Sequence, residues 1–144
     1  MVIREADIRV KSKIEELDGA GLGMGTPEVN EISVSGFYYF GDGYARLTYT
    51  ERGEGGEVNT EIISEGGAVT VRRCGAIESD IRFAVGVEHS SVYSVVPYKF
   101  DMTVVPKRVL CELSSVGGEI DLYYNMKIGG ASKAVRMRIW IQPN

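Results

Sequence analysis

Glu51 and Arg73 are the charged side chains of this sequence best placed to do chemistry, because each shares a strand register with apolar neighbours. Along Ala45-Leu47-Tyr49-Glu51 and along Val69-Val71-Arg73, every second residue is apolar until the charge is reached. Alternate residues of a strand face the same way, so both charges are carried to the buried side of a sheet or to its rim. A charge in low-dielectric surroundings must be paired or must hold something charged. Two readings follow. Glu51 and Arg73 form an internal ion pair, or Arg73 receives the carboxylate or phosphate of an anionic ligand.

Aromatic residues supply the second signal. Tyr38 and Phe40, Tyr49, Phe83 and Tyr124 fall on the registers assigned to the interior. Such rings either fill the interior or wall a pocket for a small apolar ligand, with a few polar groups fixing its orientation. Phe37, Tyr39, Tyr123 and Trp140 fall on the opposite parity. There they can pack beneath a loop or form the contact of a homodimer.

Catalytic raw material is scarce. His89 is the single histidine, in the polar, loop-like stretch Glu88-His89-Ser90-Ser91. Adjacent residues of an extended chain diverge, whereas a relay needs convergence in space. One histidine with the separated Cys74 and Cys111 does not make a transition-metal set. The glycine-rich stretch from Asp18 to Pro27 lacks GxGxxG spacing, a following Lys-Ser/Thr pair and a helix, so it reads as a long, mobile hairpin connection rather than a phosphate loop. No catalytic residue, metal site or cofactor is expected, and the chain does not read as an enzyme.

These side chains must be positioned by strands. Residues 3–17 place Ala6, Ile8, Val10, Ser12 and Ile14 on one face and Glu5, Asp7, Arg9, Lys11 and Lys13 on the other. Further strands are expected at 32–40, 44–52, 57–64, 69–74, 80–85, 91–96, 99–105, 108–114, 119–128 and 134–141, joined mostly by glycine turns. Pro97 and Pro106 are expected at strand ends, and Gly36 at a bulge or bend. With short hairpins and no helical period to supply a covering helix, the edges are best removed by closure. The fold expected is all-β: a single domain, residues 1–144, forming an antiparallel up-and-down barrel of about eight to ten strands. An interior of that size is filled by side chains or holds one small ligand.

The 144 residues carry a formal net charge of -4, without the basic excess of a phosphate-backbone binder, so no nucleic-acid partner is expected. Met1-Val2-Ile3-Arg4-Glu5 lacks a secretory layout, and no apolar run approaches the roughly 20 residues of a membrane span. A cytoplasmic protein with free thiols and no membrane association is expected.

Several segments also resemble a known family. Gly36-Phe37-Tyr38-Tyr39, Leu47-Thr48-Tyr49-Thr50-Glu51, Val71-Arg72-Arg73-Cys74-Gly75-Ala76-Ile77, Arg82-Phe83-Ala84-Val85-Gly86 and Gly118-Glu119-Ile120-Asp121-Leu122-Tyr123-Tyr124-Asn125-Met126 occur in order over about residues 30–140. Together they resemble the YwiB-like family of uncharacterised bacterial proteins. The resemblance implies a lipocalin-like, calycin barrel and no particular activity. Two functions stand: a barrel that binds a small, partly apolar, anionic molecule, and a filled barrel whose outer aromatic face meets a protein partner.

Overall fold

Strands wet on one face and apolar on the other, with no helix to shield them, satisfy their outermost N–H and C=O groups by meeting end to end. The computed structural model describes residues 3–144. Ten strands follow one another: β1 (Ile3–Leu17), β2 (Gly23–Gly41), β3 (Tyr44–Gly53), β4 (Gly56–Glu65), β5 (Ala68–Gly75), β6 (Ile77–Phe83), β7 (His89–Val95), β8 (Tyr98–Ser114), β9 (Gly117–Ile128) and β10 (Ala131–Pro143). Each pairs antiparallel with the next, and β1 closes the barrel by pairing with β10 from Ala6↔Pro143 to Leu17↔Ser132. Among the described residues, no helix is long and apolar enough to cross a membrane.

Inner registers form one core. Ile8, Tyr38, Leu47, Ile62, Val69, Val104, Ile120, Leu122 and Ile139 are each at most 2% exposed. The expected alternation of β1 holds, with Ala6, Ile8 and Val10 buried and Glu5, Asp7 and Arg9 exposed.

Several local expectations are corrected. The glycine-rich stretch is a short turn, not a ten-residue connection, since β2 begins at Gly23. The Asp18 carboxylate accepts from the amides of Ala20 (2.8 Å) and Leu22 (3.0 Å), and the Asp18 amide donates to the Leu22 carbonyl (2.8 Å). These bonds fold residues 18–22 on themselves, an Asx-type turn that glycine counting does not reveal. The strands expected at 99–105 and 108–114 are one strand, β8, and Pro106 lies buried inside it rather than at an end. The register with β9 shifts between Pro106 and Arg108, and such a bulge tolerates a residue without an N–H. Phe40 is 39% exposed, not interior, because it sits where β2 runs into the Gly41–Gly43 turn.

Gly36 is buried and marks no register shift; the reason for glycine is close approach. A Cβ there would lie 2.2 Å from the Thr48 carbonyl oxygen and 2.6 Å from Ile8 Cδ1. At this residue β2 stops pairing with β3, whose ladder spans Gly36↔Tyr49 to Gly41↔Tyr44, and continues beside β1 alone.

The wall is not uniformly laddered. β6 and β7 share only the pairs Ile77↔Val95 and Glu78↔Ser94. His89, expected in a loop, begins β7, and its Nε2 lies 3.0 Å from the Asp80 carbonyl oxygen. A carbonyl only accepts, so Nε2 carries the hydrogen and the ring pins β6 where backbone pairing has stopped.

Two outcomes follow from this geometry. Gly36→Ala should destabilise the barrel by about 1–3 kcal/mol through overpacking against backbone, measured by denaturant unfolding; an unchanged midpoint would refute the close-approach account. Amides of β6 and β7 facing their shared seam should exchange with deuterium faster than those of the β1–β10 ladder, and faster still in His89→Ala. Equal protection at both places would show that the seam is not the weak line.

Candidate functional site

The inner face carries one polar row. Tyr49 stands opposite Thr60, Thr60 opposite Arg73, and Arg73 opposite Ser79, so four adjacent strands bring these side chains to one level of the interior. Thr60 is 2% exposed, with its hydroxyl buried opposite Tyr49. Above this row, toward the β1 end that carries Ser12 and Ile14, the packing opens into a cavity of about 330 Å³. Its walls are largely apolar, with Val71, Ile81, Phe83, Val135 and the thioethers of Met102, Met126 and Met137. Arg73, Lys133, Ser12, Asn30, Ser79 and the phenols of Tyr93 and Tyr124 supply its polar groups. No aspartate or glutamate lines it.

Three of the six residues singled out from the sequence therefore meet in this cavity: Arg73, Phe83 and Tyr124. The Phe83 and Tyr124 rings pack with centroids 4.8 Å apart at 53°, a tilted arrangement that holds both against the wall. Burial pushes the Tyr124 phenol up to about 12, with Arg73 acting in the opposite direction. Tyr49 is 5% exposed; burial raises its pKa, Arg73 lowers it, Glu51 raises it and the neighbouring Thr60 hydroxyl lowers it. Both charges thus lie near the Tyr49 phenol without lying against each other.

The expected Glu51–Arg73 ion pair is not formed. Glu51 stands opposite Val58 on β4 and Arg73 opposite Thr60, with β4 between them. Two strand spacings and a two-residue offset separate their backbones by roughly 12 Å. Glu51, half-buried, lines the cleft where β2 and β3 part, beside Ile32, Val34 and Arg52. Tyr38 lies at the other end of the barrel, opposite Arg4 near the start of β1, where its hydroxyl donates to the Ser114 carbonyl at 2.7 Å. Its ring fills the interior and borders no part of the cavity.

Lys133 and Thr60 were not singled out in advance, although the signal was present. Lys133 precedes Val135, Met137, Ile139 and Ile141 on one parity, just as Arg73 follows Val69 and Val71. Among the described residues, no group of three or more histidines, cysteines, aspartates or glutamates is placed to hold a metal ion. Cys74 and Cys111 are free.

A family model described as "Domain of unknown function (DUF1934)" matches residues 8–139. The chain belongs to this family. It is 30% identical over 122 residues to the "Uncharacterized beta-barrel protein YwiB" of Bacillus subtilis (strain 168), covering 85% of this chain and 81% of that protein. The crystal structure of the ywiB protein from Bacillus subtilis superposes with a TM-score of 0.84 at 27% identity, over 99% of this chain and 93% of that one. The resemblance and the all-β closed barrel expected from the sequence are thereby established. The DUF1934 match begins at Ile8 and ends at Ile139, so it reaches into both strands that close the barrel.

Buried phenols give this DUF1934 barrel a measurable alkaline limit. Tyr38 and Tyr124 are both raised by burial from 10.0 to about 12. A phenol whose pKa rises on folding favours the folded state fully below pH 10 or so, and that contribution is lost as pH rises toward about 12. Ultraviolet titration should show Tyr38 and Tyr124 ionising after the exposed tyrosines, together with loss of structure. Double replacement by phenylalanine should move the unfolding to higher pH. If all tyrosines titrate together while the barrel stays folded, the burial assigned to these two is wrong.

Proposed function

We propose that the barrel is a binding protein for a small amphiphilic anion, held tail-inward in the lumen with its charged group at Arg73 and Lys133. The observation that carries this reading is the cavity's composition: two cations, Arg73 and Lys133, in a largely apolar lining that includes no carboxylate. A half-buried guanidinium and a half-buried ammonium bordering a largely apolar pocket, with no acid in its lining, offer an anionic ligand its partners. Arg73 suits a carboxylate or phosphate because its planar fork donates two parallel hydrogen bonds. The three methionines give a wall that adapts to tails of different shape.

The size of the cavity, about 330 Å³, sits at the lower end of the roughly 300–1,000 Å³ range of small-molecule pockets. A short acyl or aromatic tail fits that scale better than a long lipid. We read the barrel as lipocalin-like in use: carriage or sensing of the ligand rather than its conversion. Its two free thiols suit the reducing cytoplasm.

Calorimetric titration with octanoate and with its uncharged counterpart 1-octanol tests the proposal. Octanoate should bind and octanol should bind at least about tenfold more weakly, a difference of about 1.4 kcal/mol. Arg73→Met and Lys133→Met should each weaken octanoate by a similar factor while leaving the circular dichroism spectrum unchanged. Equal binding of acid and alcohol, or indifference to both substitutions, would refute an anion site in the lumen.

A further inference from the structure

The outer face of β1, β10, β9 and β8 carries a second constellation, separate from the lumen. Strand register sets Lys13 opposite Arg136, Arg136 opposite Tyr123, and Tyr123 opposite Arg108. All four are exposed. Neighbouring strands stand about 4.8 Å apart, so these side chains make a row roughly 15 Å long across four strands. Lys107 flanks it, and the group lines a groove of about 530 Å³ whose one acid is Glu15. One step along, Lys11 stands opposite Arg138. Like charges directly opposite one another weaken a sheet. Two such pairs lie side by side here, in a chain whose net charge is -4. A general excess of basic residues does not account for them.

Beside the row, one rung along and opposite Arg138, stands Asp121, its side chain 4% exposed. It accepts from Arg136 Nε at 3.3 Å and Nη2 at 3.1 Å, and stands 3.6 Å from Arg108 Nε. The hydrogen bond from Arg136 is the largest influence holding its carboxyl below the ordinary value. One buried carboxylate shared by two guanidinium groups fixes both planes and cancels only one of the two charges. Arg138 is a contrast, since Glu119 engages it at 2.6 Å. Neither Lys13 nor Lys107 is engaged by a carboxylate among the described residues. Tyr123, 41% exposed, offers its ring between Arg136 and Arg108.

We propose that this row is a binding site for a nucleoside phosphate, whether free or carried in a single strand. The phosphates take the guanidinium forks and the two lysines, and the base stacks on Tyr123. Net charge argued against a phosphate-backbone binder because it averages over the whole surface. Register shows what that average conceals, a local row of one sign.

Titrations of the ¹⁵N-labelled protein at low salt, followed by NMR, test the proposal with three probes: ADP, inorganic phosphate and a short single-stranded oligoadenylate. ADP should shift the amides of residues 13, 107, 108, 123 and 136 and bind more tightly than phosphate. Tyr123→Ala should remove that advantage while leaving phosphate binding unchanged. Arg108→Gln and Lys107→Gln should weaken every probe by about tenfold, the scale of a lost charge-assisted contact. Arg136 is left intact in these variants so that Asp121 keeps its principal partner. Oligoadenylate saturating at far lower nucleotide concentration than ADP would assign the strand as the ligand; comparable saturation would assign the free nucleotide. The site is refuted if millimolar ADP and oligoadenylate leave these amides unmoved, or if Arg108→Gln and Lys107→Gln bind as the parent does. Octanoate binding by the same variants is unaffected in either case, which separates this outer site from the lumen.

Discussion

Pairing of the first strand with the last is the interaction on which the rest of the molecule depends. β1 bonds to β10 along one edge and to β2 along the other, so the sheet has a continuous inside. Once that ring is closed, parity stops being a local property of each strand. Ser12, Val135, Tyr124, Met102 and Arg73 share a lumen because every ladder between them carries the same inward face forward. A slip of one residue anywhere in the ring would turn a strand's apolar set outward, which the burial of one unbroken core opposes. The bulge at Pro106 in β8 is accommodated within this constraint: Met102 and Val104 point inward before it, and Cys111 and Leu113 pack against the core after it.

Parity also sorts charge. Inside, Arg73 and Lys133 border a largely apolar chamber whose lining includes no carboxylate. Outside, the same cross-strand spacing aligns Lys13, Arg136 and Arg108, with one buried carboxylate beside the two arginines. Trp140, near the other end of β10, has Arg9 and Arg138 over its ring at 4.2 and 4.9 Å, so it is enclosed by cations rather than presented as a bare apolar patch. Phe37, at 52% exposed, keeps the open character that its outward parity implied.

Much of this was legible in the sequence because a period of two is insensitive to the length of the turns between strands. Arg73, Phe83 and Tyr124 could be assigned inward from their own strands alone, and they meet. The pairing of Glu51 with Arg73 was not legible in the same way. It depended on how far β3 and β5 are offset along β4, a quantity held in the ladder and not in either strand. Asp18 escaped because a single carboxylate closing a turn leaves no period. Pro106 and His89 escaped because a bulge and a side-chain bridge let residues typical of strand ends sit within the wall. Lys133 followed the rule that found Arg73 and needed only its application to β10.

The barrel has unlike ends. At one, the Tyr38 hydroxyl holds the Ser114 carbonyl, and Arg4 bridges the carbonyls of Ser115 and Asn144 at 3.1 and 3.0 Å. At the other lies the chamber with its cations. A guest bound as proposed would travel by one route and in one orientation, tail first on entry and head first on departure. Selection under that proposal would be lopsided: a methyl branch deep on the tail would meet close-packed side chains, while a bulky substituent on the head would face the open end. A barrel closed in this way would tolerate variety at a guest's head and very little in the width of what lies behind it.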